Sequence, residues 1–105
     1  MKIFDLNSMT AYPYEERDKN TFYRADEFKV RIIELPPGGR MPNCEMASHV
    51  IFYVLEGQAE VTVGSEKASL KEKNCLITEP ATLSMRTEKG VRLLGIQVTR
   101  HLSRT

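Results

Sequence analysis

Apolar and polar residues alternate in short runs along most of this chain. In the segments 28–32 and 59–63, for example, every second residue is apolar. A period of two is typical of β-strands that bury one face. No segment keeps the period of about 3.6 residues that marks an amphipathic helix. The chain is therefore predicted to be all-β.

Glycines and a Pro-Pro-Gly-Gly turn at 36–39 separate these runs. Residues 8–19 mix charge, tyrosine and proline without a period, which predicts a surface connection with room for one short helical turn. Many short strands with turns between them favour a sandwich or a barrel. The predicted strands lie near 2–6, 20–24, 28–35, 49–56, 59–64, 67–70, 74–79, 82–87 and 91–98.

Length and charge limit the domain count and the classes of partner. A chain of 105 residues and 12.0 kDa is enough for one hydrophobic core, so a single domain is expected. The net charge of +1 gives no global attraction to nucleic acid or to an anionic membrane. No apolar run approaches the roughly 18 residues of a membrane span, and the first residues have no signal-peptide core. These features predict a cytoplasmic protein.

Two segments resemble a known family. Residues 35–64, LPPGGRMPNCEMASHVIFYVLEGQAEVTVG, resemble the first conserved segment of the cupin superfamily in its small single-domain form. Residues 74–90, NCLITEPATLSMRTEKG, resemble the second segment, with Pro80 in register. The resemblance implies a jelly-roll β-barrel of two packed antiparallel sheets. It divides the chain into N-terminal strands and a connection (1–27), the barrel (28–98) and a tail (99–105).

The metal-binding residues of that family do not match. In the resemblance, two histidines, a glutamate and a third histidine fall on Asn43, Glu45, Val50 and Met85. Valine has no lone pair, and a thioether suits soft ions. Only Glu45 could bind a hard or borderline divalent metal, so the usual site is degenerate and no cofactor is expected.

A non-standard metal site is the alternative. Cys44, Glu45 and His49 lie close in sequence, and zinc prefers thiolate, carboxylate and imidazole ligands. A site of this kind, with zinc or iron, would imply a metal-dependent cupin enzyme of the oxygenase or isomerase type. The alternation of side chains along a strand argues against this site. If Val50 faces the barrel interior, His49 lies with Ile51 on the opposite face.

The favoured interpretation is a protein that binds a small organic molecule inside the barrel, near Glu45 and Met85. A carboxylate such as Glu45 in an apolar barrel could act as an acid or base, but it has no partner in the sequence, and no catalytic residue is assigned. A second alternative is a structural or regulatory dimeric module. The predicted ligand-binding residues are Asn43, Glu45, Val50, Phe52, Leu83 and Met85.

The run VIFYVL at 50–55 is apolar on both strand parities. If Val50, Phe52 and Val54 fill the barrel, the alternate residues need cover on the outside. A small chain has limited surface with which to cover them, and large apolar patches are uncommon on soluble monomers. A homodimer is therefore predicted. Cys44 and Cys75 are too few for a disulfide framework and are expected to be free thiols.

Overall fold

A computed structural model describes residues 1–98, so the predicted tail at 99–105 lies outside it. Two 3₁₀ helices, Leu6–Ser8 and Tyr14–Asn20, precede eight strands. The strands are β1 (Thr21–Arg24), β2 (Phe28–Leu35), β3 (Arg40–Met46), β4 (Val50–Val63), β5 (Glu66–Lys71), β6 (Cys75–Thr78), β7 (Ala81–Arg86) and β8 (Val91–Val98).

The strands form two antiparallel sheets that share β4. The first half of β4 pairs with β8 and β6, and β8 continues through β2 to β1. The second half of β4 pairs with β5 and β7, and β7 pairs with β3. The two sheets fold over one another around a common core. The prediction of an all-β jelly-roll barrel is confirmed.

The core lies between the sheets and follows the alternation along β4. Val50, Phe52 and Val54 point inward from the first sheet, and Ala59 and Val61 point inward from the second. Val54, Val61 and Leu93 are fully buried. Burying one aliphatic side chain of this size stabilises a fold by about 1.5–3 kcal/mol, so this row supplies much of the driving force.

Two predicted strand boundaries are wrong in the middle of the chain. We predicted separate strands at 49–56 and 59–64, but β4 runs through Gly57 without a break in the strand. We predicted no strand at 40–46, where β3 lies. Pro42 and a bulge between Met41 and Cys44 hide the period of two in β3, and an edge strand tolerates both.

The predicted strand at 2–6 is also wrong. Residues 1–5 have no regular structure, and the chain then enters the first 3₁₀ helix. Phe4 packs on Phe22 with ring centroids 4.8 Å apart. Arg92 donates hydrogen bonds to the carbonyl oxygens of Leu6 at 2.6 Å and Met9 at 2.8 Å. Side chains, rather than a strand ladder, hold this N-terminal segment.

The second 3₁₀ helix lies in the segment predicted to be a surface connection. It packs against β2, and Tyr14 contacts the core. We call Tyr14–Asn20 the cap. No helix within residues 1–98 has the length and apolar character needed to cross a membrane.

Candidate functional site

A small cavity lies inside the barrel beneath the cap. Its volume is about 30 Å³, which is room for about two water molecules. Six segments contribute to it: the cap and strands β2, β3, β4, β7 and β8. The lining residues are Tyr14, Arg17, Arg31, Met41, Cys44, Met46, Val50, Phe52, Leu83, Gly95, Ile96 and Gln97.

The floor of the cavity is apolar. It is lined by Val50, Phe52 and Leu83, and all three side chains are buried. These three residues are among the predicted ligand-binding residues. Gly95 lies opposite Phe52 in the β4–β8 ladder. A Cβ atom at Gly95 would stand 3.1 Å from Ile33 Cδ1 and 3.5 Å from Phe52 Cε1, so the glycine leaves room for the ring.

Strand β3 turns sulfur atoms toward the cavity. Met41, Cys44 and Met46 line it, and the Cys44 thiol donates a hydrogen bond to the Met46 sulfur at 3.5 Å. The bulge after Met41 changes the parity of the strand, so Asn43 and Glu45 lie on its exposed side. We expected the cavity beside Glu45 and Met85; it lies beside Cys44 and Met46. Met85 is buried in the core and does not line the cavity.

Arg31 enters the cavity from the middle of β2. It pairs with Gly95 across the β2–β8 ladder and therefore points inward with Ile33 and Leu35. Burial lowers the pKa of its guanidinium, and the thiolate form of Cys44 acts in the opposite direction. Among the described residues, no ion pair and no hydrogen bond engages this side chain.

The cap closes the cavity from outside. The Tyr14 ring packs on the core, and the Arg17 guanidinium lies 4.2 Å from the centre of that ring. Buried Asn20 fixes the cap to the preceding segment, because its side chain bonds both the N–H of Tyr12, at 2.7 Å, and the carbonyl oxygen of Tyr12, at 3.0 Å. A second cavity of about 20 Å³ lies on the other side of Tyr14 and also touches Arg17 and Arg31.

The structure does not gather the residues of the alternative metal site. Cys44 is half-buried and faces the cavity, whereas Glu45 and His49 are exposed. Within the 98 described residues, no three His, Cys, Asp or Glu side chains lie together in a way that could hold a metal ion. Asn43, Val50 and Met85 also lack the donor atoms of the family's usual site. The residues present do not fit the metal that the resemblance implies.

A larger open groove lies on the second sheet, with a volume of about 450 Å³. Gln58, Lys71 and Arg86 are among the residues along it. Two of its charged groups already pair with one another, because Arg86 donates to Glu60 at 2.9 Å. It faces solvent and its lining is more polar than apolar, so the smaller cavity in the barrel has the better combination of apolar walls and converging polar groups.

We did not predict that Arg31, Arg17 and Tyr14 belong to this site. We assigned Arg31 to the polar, outward face of β2, opposite Val30 and Ile32. The sequence contains one indication that Arg31 faces inward, because the apolar residues Ile33 and Leu35 lie on the same face of the strand as Arg31. The cap residues carry no such signal, since a 3₁₀ helix within a charged segment has no hydrophobic period.

Comparisons with known proteins agree with the architecture. No family model matches the sequence, and no curated protein matches it. Solved structures do match. The TT1209 protein from Thermus thermophilus superposes with a TM-score of 0.82 at 26% identity, over 96% of this chain and 100% of that one. The cupin domain of Cnp3 from Schizosaccharomyces pombe superposes with a TM-score of 0.77 at 20% identity, over 92% and 68%.

A cupin superfamily protein from Desulfitobacterium hafniense adds a third match, with a TM-score of 0.72 at 15% identity over 76% of this chain and 74% of that one. The chain has the cupin fold. Within that fold, the cavity is lined by sulfur and apolar side chains together with a guanidinium. The positions at which the family resemblance implies histidines carry Asn43, Glu45 and Met85.

Proposed function

We propose that this cupin is a small-molecule-binding protein whose ligand occupies the barrel beneath the cap. The observation that carries the proposal is the cavity itself, which combines an apolar floor with a few polar groups at its rim. That combination is typical of small-molecule sites. Phe52 and Leu83 supply the floor, and Arg31 and Gln97 supply polar atoms.

The size of the cavity means that a ligand must displace something. Sites for drug-sized ligands measure roughly 300–1,000 Å³, whereas this cavity measures about 30 Å³. The cap is the element most easily displaced, because it is a short 3₁₀ helix. Its buried side chain at Asn20 would hold one end in place while Tyr14 moves. Displacing Tyr14 would join the main cavity to the second one, which shares Tyr14, Arg17 and Arg31 with it.

Protection of Cys44 from alkylation tests this proposal. Cys44 is half-buried at the cavity and Cys75 is exposed on β6, and both are free thiols. We expect iodoacetamide to modify Cys44 slowly, because the thiol is half-buried, as measured by mass spectrometry of its peptide. A ligand in the barrel should slow the modification of Cys44 further, at least severalfold, because it blocks access to the sulfur.

The probes are aliphatic and aromatic acids, amides and alcohols with four to eight carbon atoms. Cys75 is the control within the same molecule, since a probe that merely quenches the reagent slows both thiols equally. Protection of Cys44 alone by at least one probe supports the proposal. Equal protection of both thiols, or none with any probe, contradicts it.

We also propose that the protein is a homodimer in which the outer face of the first sheet is the interface. Ile51 lies between Ile77 and Ile96 on this face, and Tyr53 lies beside Cys75. Ile77 is 67% exposed, which is unusual for an isoleucine within a row of apolar side chains. The N-terminal segment covers the part of this sheet around Arg92, which bonds the carbonyl oxygens of Leu6 and Met9, and a second copy would cover the rest.

Replacing Tyr53 with glutamate should weaken the dimer, because burying an unpaired carboxylate in an apolar interface is costly. Light scattering at micromolar concentration should give twice the chain mass for the wild type and a lower mass for Tyr53→Glu. Tyr12→Glu is the control, since Tyr12 is exposed beside the cap, away from this face. A wild-type protein with the mass of one chain would contradict the proposal.

The cytoplasm remains the proposed location, and the two free thiols suit a reducing compartment.

A further inference from the structure

We infer that the ligand of the barrel carries a carboxylate and that the Arg31 guanidinium binds it. This inference rests on the proposed binding function and specifies the chemical class of the ligand. It depends on the charges around the cavity, on the surroundings of Arg31 and on the character of the floor.

The charges at the cavity are of one sign. Arg17 and Arg31 line it, and no aspartate or glutamate does. Glu34 lines the second cavity but not the first, and Arg92 already pairs with it at 2.6 Å. Burial is the largest influence on the pKa of Arg31 and lowers it, whereas Asp18 is a smaller influence in the opposite direction. The cavity therefore attracts an anion.

Arg31 forms no ion pair and no hydrogen bond within the part of the chain that the structure describes. Three other arginines have partners: Arg86 bonds Glu60, Arg92 bonds Glu34, and Arg17 bonds the carbonyl oxygen of Tyr14 at 3.1 Å. Arg31 is more buried than Arg17 or Arg86 and has no such partner. Burying a guanidinium without a partner costs free energy, and a bound anion would offset that cost.

The floor of the cavity selects a carboxylate with a hydrocarbon part. Guanidinium groups bind carboxylates through two parallel hydrogen bonds. Phe52, Leu83 and Val50 offer apolar contacts below Arg31 and nothing that would bond the remaining oxygens of a phosphate. Gln97 contributes an amide at the rim, although its nitrogen also approaches the Ser48 hydroxyl at 3.5 Å. An organic acid fits this arrangement better than inorganic phosphate.

Pairs of probes that differ only in charge test the inference. Butyrate is compared with butyramide and benzoate with benzamide, with inorganic phosphate as a third class of probe, and binding is followed by NMR. We expect each acid to bind at least about tenfold more tightly than its amide, and phosphate not to compete. The variant Arg31→Gln should lose about ten- to a hundredfold in affinity for the acids and little for the amides.

Two further variants sharpen the result. Arg31→Lys keeps the charge but cannot form two parallel hydrogen bonds, so it should bind the acids more weakly than the wild type does. Arg86→Gln changes an arginine outside the cavity and should bind all probes as the wild type does. If acids and amides bind equally well and perturb cavity residues, the binding function stands and the carboxylate inference is wrong. If phosphate binds as well as the acids, the site is a general anion site and the inference is also wrong. If no probe binds in the barrel, both fail.

Discussion

Gly57→Ala is expected to destabilise the protein by about 3–5 kcal/mol, because strain at a positive φ adds to a backbone overlap. Gly57 has a φ of +83° at the point where β4 leaves the first sheet and enters the second. A Cβ atom there would overlap the carbonyl oxygen of Gly90 and lie 3.0 Å from Val91 Cα. Both neighbours are backbone atoms in the ladder with β8, so neither can swing away as a side chain would.

Gly64→Ala separates the two causes. Gly64 also has a positive φ, +61°, but no atom lies within 4 Å of the position that its Cβ would take. Its replacement should cost only the conformational strain, about 1–2 kcal/mol. Urea denaturation followed by circular dichroism measures both variants. Equal losses for the two variants would mean that the overlap at Gly57 is relieved by a backbone shift, and that β4 does not need a glycine there.

Arg92→Met is the second large effect, with an expected loss of about 3 kcal/mol, because hydrogen bonds to charged groups contribute about 1.5–3 kcal/mol each. Arg92 joins β8 to the N-terminal segment through the carbonyl oxygens of Leu6 and Met9, and it pairs with Glu34 at 2.6 Å. Its side chain is only 13% exposed. Methionine keeps the aliphatic stem, so the loss reports on the polar contacts. Hydrogen exchange of residues 4–9 should accelerate more than that of the barrel strands.

Arg86→Met is the matched control. Arg86 also forms an ion pair with a glutamate, at 2.9 Å, but its side chain is 71% exposed. Exposed pairs of this kind contribute about 0–1 kcal/mol. A loss in Arg92→Met no larger than the loss in Arg86→Met would show that the N-terminal segment is held by its ring contacts alone.

The sequence identified the fold because most strands follow a strict alternation. The bounds of β2, at 28–35, were predicted correctly, and those of β8 were also correct. Assigning the faces of β2 was harder, since both are largely apolar. Phe28, Val30 and Ile32 lie on the opposite face of the sheet from Arg31, and Ile32 is only 1% exposed there. The inner face therefore includes Arg31, and counting apolar residues alone selects the wrong side.

The site was harder to predict than the fold for a similar reason. Val50 and Phe52 lie on a regular stretch of β4, so alternation was enough to assign them to the barrel interior. Asn43 and Glu45 follow a bulge, and one extra residue moves every later side chain of the strand to the opposite face. The cap depends on tertiary packing of Tyr14 and on the buried side chain of Asn20, neither of which local sequence patterns reveal.

Methionine methyl NMR during a titration with butyrate is the most direct test of where the ligand binds. Of the five methionines, Met41 and Met46 line the cavity, Met85 lies elsewhere in the core, and Met1 and Met9 lie in the N-terminal segment. Single Met→Leu variants assign the signals. We expect the Met41 and Met46 methyl signals to move together with one dissociation constant and those of Met1 and Met9 to stay fixed. We expect Arg31→Gln to weaken the response. Shifts confined to Met1 or Met9, or no shift of Met41 and Met46 at tens of millimolar butyrate, would contradict it.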